Sequence, residues 1–148
     1  MLKLPPPVWA FAYIIASAAI AWALGWPMLP GLPLAPAGLA LIASGVVLAV
    51  WAVILFRRAG TEVDPASLTN RALVTAGPYR FTRNPIYLGL VLAALGIAVW
   101  VGAWPMFLAP AAVFLTLDRV HIPFEEAKMR RQFAAEFDDY VRRVRRWV

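Results

Sequence analysis

Between Lys3 and Arg57 the chain carries no charged residue. A segment this long and this apolar has no stable place on the surface of a soluble domain, and it sets the class of fold. A membrane-spanning helix needs about 20 mostly apolar residues, roughly 30 Å at 1.5 Å per residue. Val8–Met28 and Ala37–Phe56 each meet that length. Pro27, Pro30, Gly31, Pro33 and Pro36 break the run between them, and Arg57-Arg58 stop the second. The reading is a helical hairpin over residues 1–56 with an uncharged outer turn. The first apolar run exceeds the roughly 7–15 residues of a signal-peptide core, so it reads as a retained helix.

The remainder repeats the pattern. Ala59–Arg83 is polar and rich in turn formers, including Asp64-Pro65, Ser67, Thr69-Asn70 and Gly77-Pro78. Ile86–Val101 then reads as a third span, Gly102–Pro105 as a turn, and Met106–Leu117 as a fourth, ended by Asp118-Arg119. The last two are short, which suits tilted or oblique helices. Only 15% of residues are charged against 62% hydrophobic, where a soluble domain carries about 25% charge. The fold class is therefore all-α: a polytopic membrane helix bundle in one integral membrane domain, 1–148, with about four transmembrane helices. A C-terminal amphipathic helix follows. Pro123 suits its first turn, Glu125-Glu126 complement its positive end, and Phe133, Phe137, Tyr140, Val141, Val144 and Val148 recur at helical spacing. That apolar face is expected at the membrane surface.

Charge sets the orientation. Lys3, the Arg57–Arg83 segment and the arginine-rich tail fall on one side, and both opposite turns are uncharged. The positive-inside rule puts both termini in the cytoplasm, with a bacterial or archaeal inner membrane as the expected location. The net charge of +6 then serves anionic headgroups rather than nucleic acid. There is no cysteine and a single histidine, His121, so no thiolate or multi-histidine metal centre is expected.

One stretch does not fit a plain bundle. Gly77-Pro78-Tyr79-Arg80-Phe81-Thr82-Arg83-Asn84-Pro85-Ile86-Tyr87 sets polar and aromatic groups at the mouth of the third apolar run. The topology brings it to the same interface as Glu125, Glu126 and Tyr140. No nucleophile with a paired base and no glycine-rich phosphate loop is visible. These groups suit a zwitterionic or charged small molecule beside an apolar slot open to lipid.

The string from Gly77 to Gly89 resembles the Gly-x-Tyr, Arg-His-Pro-x-Tyr-x-Gly signature of the isoprenylcysteine carboxyl methyltransferase-like and phospholipid methyltransferase-like membrane enzymes. The tail resembles the same family through Glu125-Glu126, Met129, Phe133-Ala134, Phe137, Tyr140, Val144 and Arg146-Trp147. The resemblance spans roughly residues 57–148 as the methyltransferase core. It implies an integral membrane methyltransferase using S-adenosylmethionine on a lipophilic acceptor. An isoprenylcysteine-like carboxylate comes first, with a phospholipid amine or a thiol as the other classes. The implied donor site is Tyr79, Arg83, Asn84, Pro85, Tyr87, Glu125, Glu126 and Tyr140, with Arg80, Asn84 and Tyr87 nearest the chemistry. Arg83 would bind the donor carboxylate, and one of the two glutamates, Glu125 by preference, its ammonium or ribose; neighbouring helical residues diverge by about 100°. Tyr79 or Tyr87 would lie against the sulfonium or adenine. Arg80 would position an acidic acceptor or bind lipid phosphate.

Three positions depart from the family pattern. Asn84 stands for histidine, and asparagine cannot act as a base near neutral pH. Ala134 stands for glycine and Phe137 for tyrosine, changes expected to leave the helix face intact. The expected partners are a lipophilic or lipid-modified substrate and membrane lipids. The competing class is a non-catalytic lipid-binding or assembly protein with the same basic tail.

Overall fold

The computed structural model describes residues 4–60 and 72–148. Lys3 and the turn residues Asp64, Pro65, Ser67, Thr69 and Asn70 lie outside the described residues. The described chain is helical: α1 Pro6–Ala23, α2 Ala35–Arg58, α3 Pro85–Val101, α4 Leu108–Thr116 and α5 Ile122–Arg143. Pro6–Ala23, Ala35–Arg58 and the continuous helical stretch Trp104–Arg143 are long and apolar enough to cross a membrane, and Pro85–Val101 is a shorter apolar helix.

Local chemistry explains the boundaries. Proline occupies the first turn of α1, α2 and α3, where a missing N–H costs nothing. The α1 helix stops at Ala23, short of the expected Met28, because Gly25 turns left-handed at φ +72 and Pro27 cannot resume the helix. Gly102 caps α3 at φ +79. Arg57 and Arg58 close α2 at its negative end. The two uncharged turns meet: Met28 bridges Ala103, Leu29 N–H donates to Gly102 O at 2.9 Å, and Trp104 N–H donates to Pro27 O at 3.1 Å. Trp22, Trp26, Trp100 and Trp104 are exposed around that end, the arrangement of an interfacial aromatic belt.

The seam between α2 and α3 is built from glycine. A Cβ on Gly45 would stand 2.5 Å from Gly89 O, and one on Gly38 would stand 2.7 Å from Gly96 O. The helices run antiparallel with their backbones in direct contact at two levels, the small-residue packing common in membranes. The long partner of α2 is thus α3, while α1 packs on α4, with Tyr13 and Thr116 hydroxyls 2.8 Å apart. The expected hairpin is consecutive in sequence, but each of its helices finds its main contact elsewhere.

Two further expectations are corrected. Asp118-Arg119 do not end the fourth helix. The chain passes from α4 through a widened π turn, Leu117–His121, directly into α5. Asp118 is neutralised by Arg119 and Arg146, so the helix can carry it. Pro123 lacks an N–H and crowds the carbonyl four residues back, and the wider turn makes room for its ring. The C-terminal apolar face also differs. Phe137, Tyr140 and Val144 are buried against Tyr79 and Ala52, so the face covers protein rather than bilayer, and Val148 is exposed outside it. The helix ends at Arg143, with Val144 already extended. Nor is it unbroken: Ala134 adopts φ +41, ψ −116. The departure from glycine at this position is therefore not neutral, because an L side chain is strained there.

Candidate active site

Gly77–Arg80 forms a short 3-10 turn that rests on the end of α2. Gly77 has φ +60, and a Cβ on it would lie 2.6 Å from the Leu55 side chain. Tyr79 is carried inward, its ring 5.2 Å from that of Phe56. Burial pushes its hydroxyl well above the usual phenol range. Tyr140 on α5 donates its hydroxyl to Tyr79 O at 2.7 Å and so fixes the turn to the helix.

The following residues are stitched to the extended tail after α5. Arg83 N–H donates to Arg145 O at 3.0 Å. Thr82 Oγ1 and Asn84 Nδ2 both donate to Arg146 O, at 3.1 and 2.9 Å. Arg83 spends Nη1 on the carbonyls of Val144, 2.5 Å, and Val141, 3.3 Å, and Nη2 on Glu126 Oε1, 2.8 Å. Its Nε is buried with no partner among the described residues. Glu126 also receives Arg146, whose Nη2 lies 2.9 Å from Oε2. Burial alone would raise the Glu126 carboxyl, but hydrogen bonds from Arg146 and Arg83 outweigh it and hold the group below its ordinary range. Asp118 extends the network, accepting from Arg146 Nη1 at 3.3 Å and Trp147 Nε1 at 3.0 Å.

Glu125 has a different environment. It accepts a hydrogen bond from the Tyr87 hydroxyl. Burial pushes its carboxyl up to about 7, against the lowering influence of Tyr87 and Lys128. Behind Tyr87 sits His121, 1% exposed, its ring edge-on at 6.4 Å.

These groups surround one cavity of about 480 Å³. Tyr79, Arg83, Asn84, Pro85, Tyr87, Glu125, Glu126 and Tyr140 all line it. Arg80 does not; it is exposed beside a separate depression. The opposite wall is apolar, from Pro5, Pro6 and Pro7 at the start of α1, Val53 and Phe56 near the end of α2, and Leu90 on α3. Sequence reasoning passed over Lys128, which also lines the cavity and is buried. Its spacing of three from Glu125 was the available signal, since such residues share a helix face.

A model of the phospholipid methyltransferase family matches residues 34–136. The chain belongs to that family. The match begins at the cap of α2, earlier than the resemblance near residue 57, and ends before Tyr140 and Arg146. Two curated relatives, each named probable protein-S-isoprenylcysteine O-methyltransferase, from Oryza sativa subsp. indica and subsp. japonica, are 30% identical over 108 residues. That alignment covers 72% of this chain and 56% of each relative, so the chain spans little more than half their length. No solved structure matches.

Proposed function

We propose that this family member is an S-adenosylmethionine-dependent methyltransferase of the membrane interface, acting on a lipophilic acceptor. The observation that carries this reading is one cavity with two unlike walls: the Tyr87–Glu125 pair and the tyrosine rings on one side, and an apolar slot between the starts of α1 and α3 and the end of α2 on the other. Its volume, about 480 Å³, falls in the range of small-molecule sites.

The residues suit the donor. Glu125 offers a carboxylate to its ammonium or ribose hydroxyls, and Tyr79 and Tyr87 offer rings to its sulfonium or adenine. Arg83 has given three of its five N–H groups to Val141, Val144 and Glu126, which leaves the Nε–H and one Nη2–H as its remaining donors. Its main contribution is to hold the wall together. Bound donor supplies a methyl group on a positively charged sulfur, which departs as a neutral thioether. The protein then has to align the acceptor and exclude water.

Asn84 bears on the acceptor. An amine or thiol must lose a proton when methylated, whereas a carboxylate already carries the attacking electron pair. Asparagine in place of histidine removes a base that a carboxylate acceptor does not need, and the name of the rice relatives points to the same acceptor class. We therefore favour a prenylated cysteine carboxylate, with the basic ends of the helices facing the cytoplasm. The family description keeps a phospholipid amine as the second class.

The test is calorimetry on the detergent-solubilised chain with S-adenosylmethionine and its demethylated product. Micromolar binding is expected. No binding of either by folded protein rejects the reading. Methyl transfer to a prenylcysteine acid and none to phosphatidylethanolamine would assign the acceptor, and the reverse would overturn that choice.

A further inference from the structure

Arg80, left out of the donor cavity, lines a second depression of about 230 Å³ with Thr75, Tyr140, Arg143 and Val144. Two arginines share this small concavity. Among the described residues no carboxylate forms an ion pair with either, although six such bridges occur elsewhere. Arg143 uses Nε on Asp139 O, 3.3 Å away, and keeps its terminal nitrogens for other partners. Like charges gathered with no counter-charge among the described residues attract an anion.

The depth of the depression says which anion. The apolar run of α2 ends at Phe56 and gives way to Arg57-Arg58, which mark the level of the headgroups. Gly77 rests on Trp51 and Leu55, within the last two turns of that helix. The Gly77–Arg80 turn is therefore held at the membrane boundary, and the next residue, Phe81, is 72% exposed, an apolar ring that no described residue covers. An exposed phenyl group beside an exposed arginine matches the boundary between acyl chains and headgroups.

We propose that Arg80 and Arg143 form a phosphate site for the headgroup of an anionic lipid, with Thr75 at its edge and Phe81 set into the adjoining acyl region. Guanidinium groups bind phosphate oxygens in bidentate fashion. Among the described residues Tyr140 alone lines both this depression and the donor cavity, and its hydroxyl holds the backbone of Tyr79. A lipid seated here would brace the wall of the donor site from outside.

Native mass spectrometry of the full chain, released from detergent with equal amounts of phosphatidylglycerol and phosphatidylcholine, tests this without reference to methyl transfer. The expected result is preferential retention of phosphatidylglycerol by about twenty-fivefold, since each of the two basic residues near an anionic surface contributes on the order of fivefold. Arg80→Gln with Arg143→Gln should abolish the preference, and Arg130→Gln with Arg131→Gln, which removes equal charge elsewhere on α5, should keep it. Circular dichroism and thermal unfolding of both pairs establish that they are folded. No preference in the parent chain, or equal loss in both double variants, overturns the assignment. Displacement of the lipid by millimolar inorganic phosphate would likewise overturn it, because the site would then take free phosphate.

Discussion

The Tyr87 hydroxyl donates to the Glu125 carboxylate across 38 residues of sequence, joining the first turn of α3 to the first turn of α5. It bridges the signature segment and the tail helix within the cavity. Tyr87→Phe should weaken donor binding by about tenfold, the worth of a hydrogen bond to a charged group at roughly 1.5 kcal/mol. Calorimetry at a single pH checks the loss. Unchanged affinity would separate Glu125 from the donor.

The pH dependence follows from Glu125. Its carboxyl is raised from 4.5 to about 7, so it is mostly neutral at pH 6 and mostly charged at pH 8. Affinity for a cationic donor should rise about tenfold over that window and level off above it. Stability of the unliganded chain should move the opposite way. A raised carboxyl favours the folded state while protonated, and that contribution is lost as pH climbs from about 4.5 through 7. Glu125→Gln should flatten both profiles. Tyr87→Phe, which removes a lowering influence, should move their midpoint upward.

Arg83 and Glu126 are each only 11% exposed and 2.8 Å apart. Removing Arg83 leaves Glu126 to Arg146 alone and takes the donor from the Val141 and Val144 carbonyls, at a cost of about 1.5–3 kcal/mol. Arg83→Ala should therefore lower resistance to unfolding in detergent. Arg83→Lys should recover little, because a single ammonium nitrogen cannot stand at both the Nη1 and Nη2 positions from which the two carbonyls and the carboxylate are reached. A double variant with Glu126→Gln that loses no more than Arg83→Ala alone would show that the two act as a unit.

At the glycine seam, Gly45→Ala puts a methyl group 2.5 Å from Gly89 O, and backbone cannot step aside as a side chain would. The expected cost is about 1–3 kcal/mol. Leu39→Ala, on the exposed flank of the same helix, is the comparison and should cost far less in detergent. Equal effects would mean that the seam tolerates widening.

Ala134→Gly should stabilise the chain by about 1 kcal/mol, since it relieves a side chain held at φ +41. Thermal unfolding reads this directly. A fall in stability would mean that the backbone there is better served by alanine's lower flexibility in the unfolded state.

The spans were legible because apolar length and proline placement act locally. Arg57-Arg58 stop a helix, and Pro85 starts one, whatever surrounds them. What hid from the sequence was pairing over distance. Asp118 reads as a terminator until Arg146 and Trp147 are seen to neutralise and bind it. Arg83 reads as a free fork until the carbonyls of Val141 and Val144 are found to fill it. Arg80 and Arg83 are three residues apart in one motif yet face different spaces, because the 3-10 turn ends between them. Ala134 could have been read from the family's preference for glycine, which marks a backbone that has no room for a side chain's usual angles.

Glycine against glycine has one more consequence. Two helices joined backbone to backbone leave no gap through which a greasy chain could slide, so the α2–α3 face is a shut wall. The cavity's apolar side lies instead by Pro5, Pro6 and Pro7, opposite Val53 and Phe56. On the proposed function those residues would form the doorway from the bilayer. None of them belongs to the signature stretch or to the tail motif, so the choice of lipid guest would be written in the part of the chain that looks most like anonymous membrane filler.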